Sequence, residues 1–292
     1  MQIAIISGKG GTGKSSISAA FATMEEKLVL VDCDVDAANL YLLFDPSHEE
    51  IEKFTGSEHA VINYTKCTNC AICIQFCRFD AIHLSKGMVS ISEVACDGCR
   101  LCSRLCPVGA ISNEPQNESR LYSGTFRNGK MVYGILAPGE ENSGKLVNAV
   151  RDKALEVARA HQIETILIDG PPGIGCPVIS TIVGVDMALI VTEPTLSGFQ
   201  DLERIKAVLD HFQIPSLVLI NKYDINKNIS KEIESWCTHS GSLYIGKIPF
   251  DADFVKAMTE KKSIFEYKPE GTTSVELRRI YRKIKKNYNT QQ

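Results

Sequence analysis

No apolar run in the sequence approaches the roughly 20 residues that a bilayer-spanning helix requires, so a transmembrane segment is not expected. Charge of one sign is also scarce. The net charge is −3 over 292 residues, which excludes a strong general attraction to nucleic acid or to an anionic membrane. The six histidines show neither ligand spacing nor a nucleophile partner, which argues against a catalytic triad. Met1-Gln2 leads straight into the apolar stretch Ile3 to Ile6, leaving no room for the charged region and long apolar core of a secretory leader. The expected location is therefore cytoplasmic, where reducing conditions favour metal-bound thiolates over disulfides. Disorder is not expected either, because apolar residues make up 44% of the chain. That length and composition suit one large α/β core plus a smaller unit.

Cysteine, by contrast, is abundant and patterned. Eight of the eleven cysteines fall in two runs, Cys67-x2-Cys70-x2-Cys73-x3-Cys77 and Cys96-x2-Cys99-x2-Cys102-x3-Cys106-Pro107. Thiolates at these intervals can wrap a cubane cluster, because three closely spaced sulfurs occupy neighbouring iron corners and the fourth reaches a more distant iron. Zinc is the alternative, since CxxC pairs also form zinc sites. Zinc requires neither the longer run nor its duplication at a constant offset. The duplication extends from Cys67–Ile82 to Cys96–Ile111 and includes an Ala-Ile pair at 81–82 and again at 110–111, each expected to enter a strand that covers a cluster. The runs resemble a bacterial-type two-cluster ferredoxin, in which the fourth cysteine of each run serves the other cluster. The resemblance implies one 4Fe-4S cluster on Cys67, Cys70, Cys73 and Cys106, and a second on Cys96, Cys99, Cys102 and Cys77. One departure is visible: Cys77 is followed by Arg78, whereas Cys106 has the usual Pro107. Without the fixed φ of proline the first turn is looser, and the Arg78 charge would raise the potential of a nearby cluster, so the two clusters are not expected to be equivalent.

The beginning of the chain carries a second motif. Gly8-x4-Gly13-Lys14-Ser15 satisfies the phosphate-loop pattern and lies between a strand, Gln2 to Ile6, and a helix that starts at Lys14. Its backbone N–H groups, across Gly8, Gly10, Gly11, Thr12, Gly13 and Ser16, and the helix terminus would cradle phosphate, with Lys14 on the terminal phosphates and Ser15 on Mg²⁺. A second strand at Leu28 to Asp32 completes a βαβ unit. The pattern changes after Phe44-Asp45-Pro46. Beyond the cysteine runs, α/β alternation resumes with apolar stretches at 131–136, 165–168, 187–191, 217–220 and 243–248, separated by helical ones. Wholly apolar strands such as 187–191 belong in a sheet covered on both faces. The expected fold is a doubly wound, mainly parallel α/β P-loop NTPase domain formed by 1–59 and 116–292, with an inserted α+β ferredoxin-like domain at 60–115.

The form GKGGTGKS, with Lys9 directly after the first glycine, resembles the deviant phosphate loop of the ATPase family that contains MinD, ParA, the Mrp-type cluster carriers and the nitrogenase iron protein. That resemblance implies ATP sandwiched in a dimer, homodimeric or formed with a paralogous ATPase, in which Lys9 reaches the partner's nucleotide. It further implies that VDCDVDAANL is switch I, with Asp34 orienting the attacking water and holding the Mg²⁺ shell, preceded by Asp32. Asp36 fits less well, since many relatives carry a small residue there. LIDGPPG resembles switch II, with Asp169 holding a Mg²⁺-bound water and Gly173 offering an N–H near the γ-phosphate. Asn221-Lys222 resembles the base-recognition turn and Ile248-Pro249-Phe250 the loop that closes over the adenosine.

Three cysteines lie outside the runs. Cys176 stands seven residues beyond Asp169, at a distance resembling that of a cluster ligand in the nitrogenase iron protein. Its companion is missing, so a fully thiolate-ligated bridging cubane is not expected; a two-thiolate metal or redox site across a dimer stays open, and the favoured alternative is a buried small apolar residue. Cys33 and Cys237 are expected to be core thiols. At the carboxy end, Ser274 to Tyr288 places Leu277, Ile280, Tyr281, Ile284 and Tyr288 on one helical face, expected to pack on the domain with a solvated basic face rather than to lie on a membrane. The leading expectation is an ATP-hydrolysing iron–sulfur protein that couples a nucleotide-driven dimer switch to electron transfer, acting on a redox partner protein. Two alternatives remain. One is an ATP-dependent factor that assembles or delivers an iron–sulfur or metal cofactor to another protein; the late CxxC of the Mrp-type carriers is missing. The other is a redox-sensing spatial organiser like MinD.

Overall fold

The computed structural model describes residues 1–56, 58–93, 95–115, 118–138, 140 and 142–291. The expected boundary at residue 116 therefore lies outside the described residues. The chain opens with β1 (Gln2–Ser7), α1 (Lys14–Ala22), β2 (Leu28–Asp32), α2 (Leu40–Phe44) and β3 (Glu50–Phe54). A cysteine-rich segment follows, consisting of β4 (Glu58–Ile62), α3 (Ile72–Phe76), β5 (Ile82–Ser85), β6 (Met88–Ile91), α4 (Leu101–Leu105) and β7 (Ile111–Pro115). The chain then returns through β8 (Ser119–Phe126), β9 (Gly129–Ile135), α5 (Ser143–Ala160), β10 (Ile166–Pro172), α6 (Cys176–Ile182) and β11 (Met187–Thr192). It ends with α7 (Leu196–His211), β12 (Ser216–Asn221), α8 (Lys227–Ser240), β13 (Leu243–Ile248), α9 (Asp253–Thr259), α10 (Ile264–Tyr267) and α11 (Thr272–Gln291).

Nine strands form one sheet in the order β13-β12-β11-β1-β10-β2-β9-β8-β3. The seven from β13 to β9 are parallel. Their apolar sequences send alternate residues to opposite faces: Ala4 and Ile6 enter one buried core with Leu146, Val178 and Leu202, while Ile3 and Ile5 enter the other with Ile17, Leu277 and Ile284. Helices cover both faces, as the unbroken apolar strands require. In α11, Leu277, Ile280, Tyr281 and Ile284 are all buried, so the carboxy-terminal apolar stripe is committed to the domain's own core and is not free to lie on a membrane. Among the described residues, no helix is long and apolar enough to cross one.

The far edge departs from the parallel pattern. β8 folds back on β9 and β3 pairs with β8, both antiparallel. Neither β3 nor β8 was expected from the sequence. The register fixes where the cysteine segment departs: Arg120 pairs with Ile135, and Phe54 with Ser119, at the carboxyl ends of the parallel strands. The β3/β8 ribbon continues as the β4/β7 pair, where Glu58 faces Pro115. The segment between β4 and β7 thus projects from the same sheet edge that carries the phosphate loop. It has a small core of its own, made of Ala60, Ile62, Cys73, Ile82, Val89 and Ile111.

Candidate functional site

The first turn of α1 lies at the carboxyl end of β1, beside β10, where the strand order reverses direction and open α/β sheets place their ligands. Gly13 precedes α1 with φ of 87°, and a Cβ there would lie 2.3 Å from Asn221 Nδ2, so the turn admits only glycine. A cleft of about 250 Å³ opens over it, lined by Gly10, Gly11, Thr12, Gly13, Lys14, Ser15 and Ser16, by Asp34, Asn39, Leu40 and Leu43 on one side, and by Phe254, Met258 and Lys262 on another. The Thr12 hydroxyl is buried there without a hydrogen-bond partner among the described residues, which marks it for a polar ligand atom.

At the floor of the site the Asp169 carboxylate collects three groups from the other side of the loop. Lys14 Nζ lies 2.8 Å and Ser15 Oγ 2.7 Å from Oδ2, and the Ser18 hydroxyl donates to Oδ1 at 2.5 Å. Ser18 was not singled out from the sequence; its position one turn after Lys14 was the available signal. Asp32 is paired in register with Asp169 on the neighbouring strand and is fully enclosed. Burial first, and then the Asp169 charge, push its pKa up to about 7, against the pull of Lys14 and of backbone donors. Those donors are the N–H groups of Asp34, Asn39 and Leu40, so Asp32 holds the whole turn that carries Asp34. Asp34 is half-buried with its pKa raised by burial, Lys14 opposing. Asp36 is exposed.

Several other residues singled out from the sequence make contacts within the chain. Lys9 Nζ is bound to Glu193 Oε1 at 2.6 Å and to the Thr195 and Ser197 hydroxyls. Asn221 Nδ2 donates to Thr12 O at 2.7 Å, and its Oδ1 accepts from Lys222 N–H, so its amide braces the phosphate loop. The Gly173 N–H donates to Ser7 O. Gly8 packs against Asp201, where a Cβ would collide at 2.2 Å. Gly8, Asp169, Gly173, Asn221 and Pro249 stand outside the lining of the cleft. Glu193, absent from the sequence reading, is an acidic residue just past a wholly apolar strand.

The cysteines of the two runs are brought around two small cavities. One, of about 20 Å³, is lined by Cys67, Cys70, Cys73 and Cys106 with Ile62, Val89 and Ile111. The other, also of about 20 Å³, is lined by Cys77, Cys96, Cys99 and Cys102 with Ala60 and Ile82. The repeat is structural as well as sequential. Asn69 and Gly98, and likewise Ala71 and Arg100, have positive φ at equivalent places, turning each run inward before α3 and α4. Gly98 also closes against Glu58 O, where a Cβ would lie at 2.2 Å. Backbone N–H groups of Ala60 and Ala110 donate to the sulfurs of Cys96 and Cys106 at 3.4 and 3.2 Å. Among the described residues, no group of three or more His, Cys, Asp or Glu side chains converges tightly enough to hold a metal ion. Cys33 and Cys237 are buried, as expected, but Cys176 is exposed at the start of α6, which corrects the expectation of a buried apolar residue.

Residues 3–264 match the family model of the CobQ/CobB/MinD/ParA nucleotide binding domain. An uncharacterized protein of Methanocaldococcus jannaschii is 36% identical over 288 residues, covering 98% of this chain and 96% of that protein. Hydrogenase-4 component A of Escherichia coli is 37% identical over 82 residues, which is 26% of this chain and 37% of that one. Among solved structures, the septum site-determining protein MinD of Pyrococcus horikoshii, complexed with Mg-ADP, superposes with a TM-score of 0.59 at 19% identity, covering 97% of this chain and 95% of that one.

Proposed function

The chain belongs to the CobQ/CobB/MinD/ParA nucleotide-binding family, and on that footing we propose that it is a Mg²⁺-dependent ATPase whose nucleotide-driven dimer switch is coupled to electron transfer through two 4Fe-4S clusters. In this reading residues 60–115 are an inserted ferredoxin domain and 1–59 with 116–292 the ATPase. The observation that carries the coupling is the root of the insert. Leu136 N–H donates to Val35 O in the turn after Asp34, and Ala137 N–H donates to Ser119 Oγ at the base of the ribbon. Ser119 and Glu118 are in turn bound to the Glu140 carboxylate. A turn that changes with nucleotide thus shares hydrogen bonds with the strands that carry the cysteines.

On the nucleotide side, Lys14 exchanges Asp169 for the terminal phosphates, the loop N–H groups bind phosphate oxygens, and Ser15, Asp34 and Asp169 hold Mg²⁺, which offsets phosphate charge. Asp34 orients the attacking water. Lys9 extends to the nucleotide of the partner subunit, so hydrolysis requires a dimer with a second copy or a paralogue. The Asn221 turn, Pro249 and Gly173 close around the nucleotide as the two subunits meet.

On the redox side, Cys67, Cys70, Cys73 and Cys106 hold one cluster and Cys96, Cys99, Cys102 and Cys77 the other. Four sulfurs around a cavity, rather than converging on a point, suit a polynuclear cluster better than a zinc ion with bonds of about 2.3 Å. The N–H donors on Ala60 and Ala110 suit sulfurs that serve as ligands, whereas burial raises the Cys73 and Cys102 thiols and opposes their charged form in the absence of metal. Each cluster, when bound, supplies a one-electron carrier. The similarity to a hydrogenase component adds weight to a redox role. Eight thiolates fully used in ligation speak against delivery of the cluster to another protein, and the buried stripe of α11 speaks against a membrane-borne organiser.

The test is an EPR-monitored redox titration of anaerobically prepared protein without nucleotide, with Mg·ADP and with a non-hydrolysable Mg·ATP analogue. Close to eight iron atoms per chain are expected, about four per cysteine set, together with a nucleotide-dependent shift in potential or line shape. Zinc in place of iron, or identical titrations in all three states, would reject the coupled redox reading.

A further inference from the structure

Lys9 is fully occupied in its own chain. An ammonium has three N–H donors, and here three acceptors surround it: Glu193 Oε1 at 2.6 Å, Thr195 Oγ1 at 3.2 Å and Ser197 Oγ at 3.1 Å. Glu193 and Thr195 lie in the turn between β11 and α7 and Ser197 in the first turn of α7, and that turn is pinned by hydrogen bonds. Thr195 caps α7 by accepting from Gly198 N–H, its own N–H is bound to Glu193 O at 2.8 Å, and Thr192 Oγ1 holds Gly198 O. A Cβ on Gly198 would lie 2.4 Å from Glu193 O, so the turn is closed as tightly as the backbone permits.

We propose that Glu193 is an autoinhibitory anchor: it holds Lys9 in cis, and ATP-dependent dimerisation requires that Lys9 be surrendered from Glu193 to the triphosphate of the partner subunit. This rests on the sandwich reading above and adds the step that opposes it. A second lysine makes the exchange reversible. Lys222 Nζ lies 3.3 Å from Glu193 Oε2 and 2.9 Å from Gly11 O, so the carboxylate keeps a counter-charge after Lys9 leaves. Without Lys222, departure of Lys9 would strand a carboxylate whose side chain is only 15% exposed, at a prohibitive desolvation cost. Burial alone would raise the Glu193 pKa, yet the two lysines together hold it below the usual glutamate range. The anchor therefore stays charged at neutral pH, and a tetra-anionic nucleotide can displace it where a neutral ligand cannot.

Two measurements on Glu193→Gln decide the matter. In the nucleotide-free protein, competitive acetylation mapped by mass spectrometry reads the accessibility of the Lys9 amine; Glu193→Gln should be labelled about fivefold faster than wild type, the lower end of typical coupling factors. In sedimentation with a non-hydrolysable Mg·ATP analogue, the same variant should dimerise at about fivefold lower protein concentration. Ser197→Ala, which leaves the Glu193–Lys222 pair intact, should move both readings in the same direction by less. Equal acetylation of Lys9 in wild type and both variants would overturn the anchor. Faster acetylation with unchanged or weaker dimerisation in both variants would overturn its inhibitory role. A wild type that stays monomeric with the analogue at every concentration would defeat the sandwich reading itself and the inhibitory role with it, and the acetylation result would tell that failure from the failure of the anchor.

Discussion

Lys14 and Asp169, 155 positions apart in sequence, form an ion pair at 2.8 Å with side chains only 6% and 1% exposed. The lysine expected to bind phosphate and the aspartate expected to serve Mg²⁺ therefore neutralise each other when neither ligand is bound. On the proposed function, a nucleotide entering with its metal would replace both partners at once, so that neither charge would be left alone in the floor of the site.

Lys14→Ala should consequently do two separable things. Calorimetric titration should detect no nucleotide binding. The nucleotide-free fold should also lose roughly 3 to 5 kcal/mol, the usual consequence of leaving one member of a buried pair uncompensated. Ser18→Ala, which removes one of several hydrogen bonds to Asp169, should cost about 1 kcal/mol and preserve binding. Denaturant unfolding without nucleotide reads both, and a Lys14→Ala protein as stable as wild type would contradict the pairing.

Asp32 makes a prediction about pH. Its pKa rises on folding from 3.8 to about 7, so between those values the folded chain holds a proton that the unfolded chain has released. Stability from this group is full at the acid side and declines as pH rises from about 4 to about 7, levelling off above. Chelator-treated, nucleotide-free protein should follow that decline, and Asp32→Asn should flatten it. A wild-type profile that rises through this window and is unchanged by the substitution would refute the assignment.

The parallel sheet and the phosphate loop were legible because their signals are local: wholly apolar strands such as 187–191, and glycines at fixed spacing before Lys14. The cysteine repeat was legible for the same reason, down to the Ala-Ile pairs that open β5 and β7 with Ile82 and Ile111. What escaped the sequence is non-local. β3, with the sequence EIEKF, is mostly exposed and carries three charged residues in five, so its strand character comes from pairing with β8 across 64 intervening residues. Asn221 was assigned to a base by resemblance to the family's turn, and no local signal showed that its amide also reaches across the fold to Thr12 O. Glu193 and Ser18 carry no motif at all; only the fold brings them to the two lysines and to Asp169.

The three cysteines outside the runs should differ sharply in reactivity. Burial, and then the Asp32 charge, push the Cys33 thiol far above its ordinary range, and burial raises Cys237 to about 11. At pH 8 the thiolate fraction of Cys237 is about one in a thousand. Cys176 is exposed at the start of α6. Brief iodoacetamide treatment of the folded protein at pH 8, followed by peptide mapping, should modify Cys176 and spare Cys33 and Cys237 until denaturant is added. Modification of Cys33 at the rate of Cys176 would show that the core around β2 is open.

The root of the insert offers the sharpest test of coupling. Ser119 Oγ lies 2.5 Å from Glu140 Oε2 and accepts the Ala137 N–H at 2.9 Å, while Asn142 Nδ2 holds Gly56 O beside the first leg of the ribbon. None of these atoms touches the phosphate loop or a cysteine, so Ser119→Ala should leave ATP hydrolysis within about threefold of wild type and iron content unchanged, with a stability loss of about 1 to 3 kcal/mol. If the turn after Asp34 transmits nucleotide state through Ser119, the nucleotide-dependent change in the EPR titration should shrink markedly in Ser119→Ala and return in Ser119→Thr, whose hydroxyl can restore both bonds. A purely structural serine would lower stability without altering that difference. An undiminished shift in Ser119→Ala would therefore move the route elsewhere, most directly to the stack that links α2 through β9 to β8, where Tyr41 lies on Tyr133 at 5.0 Å and Tyr133 on Tyr122 at 4.7 Å.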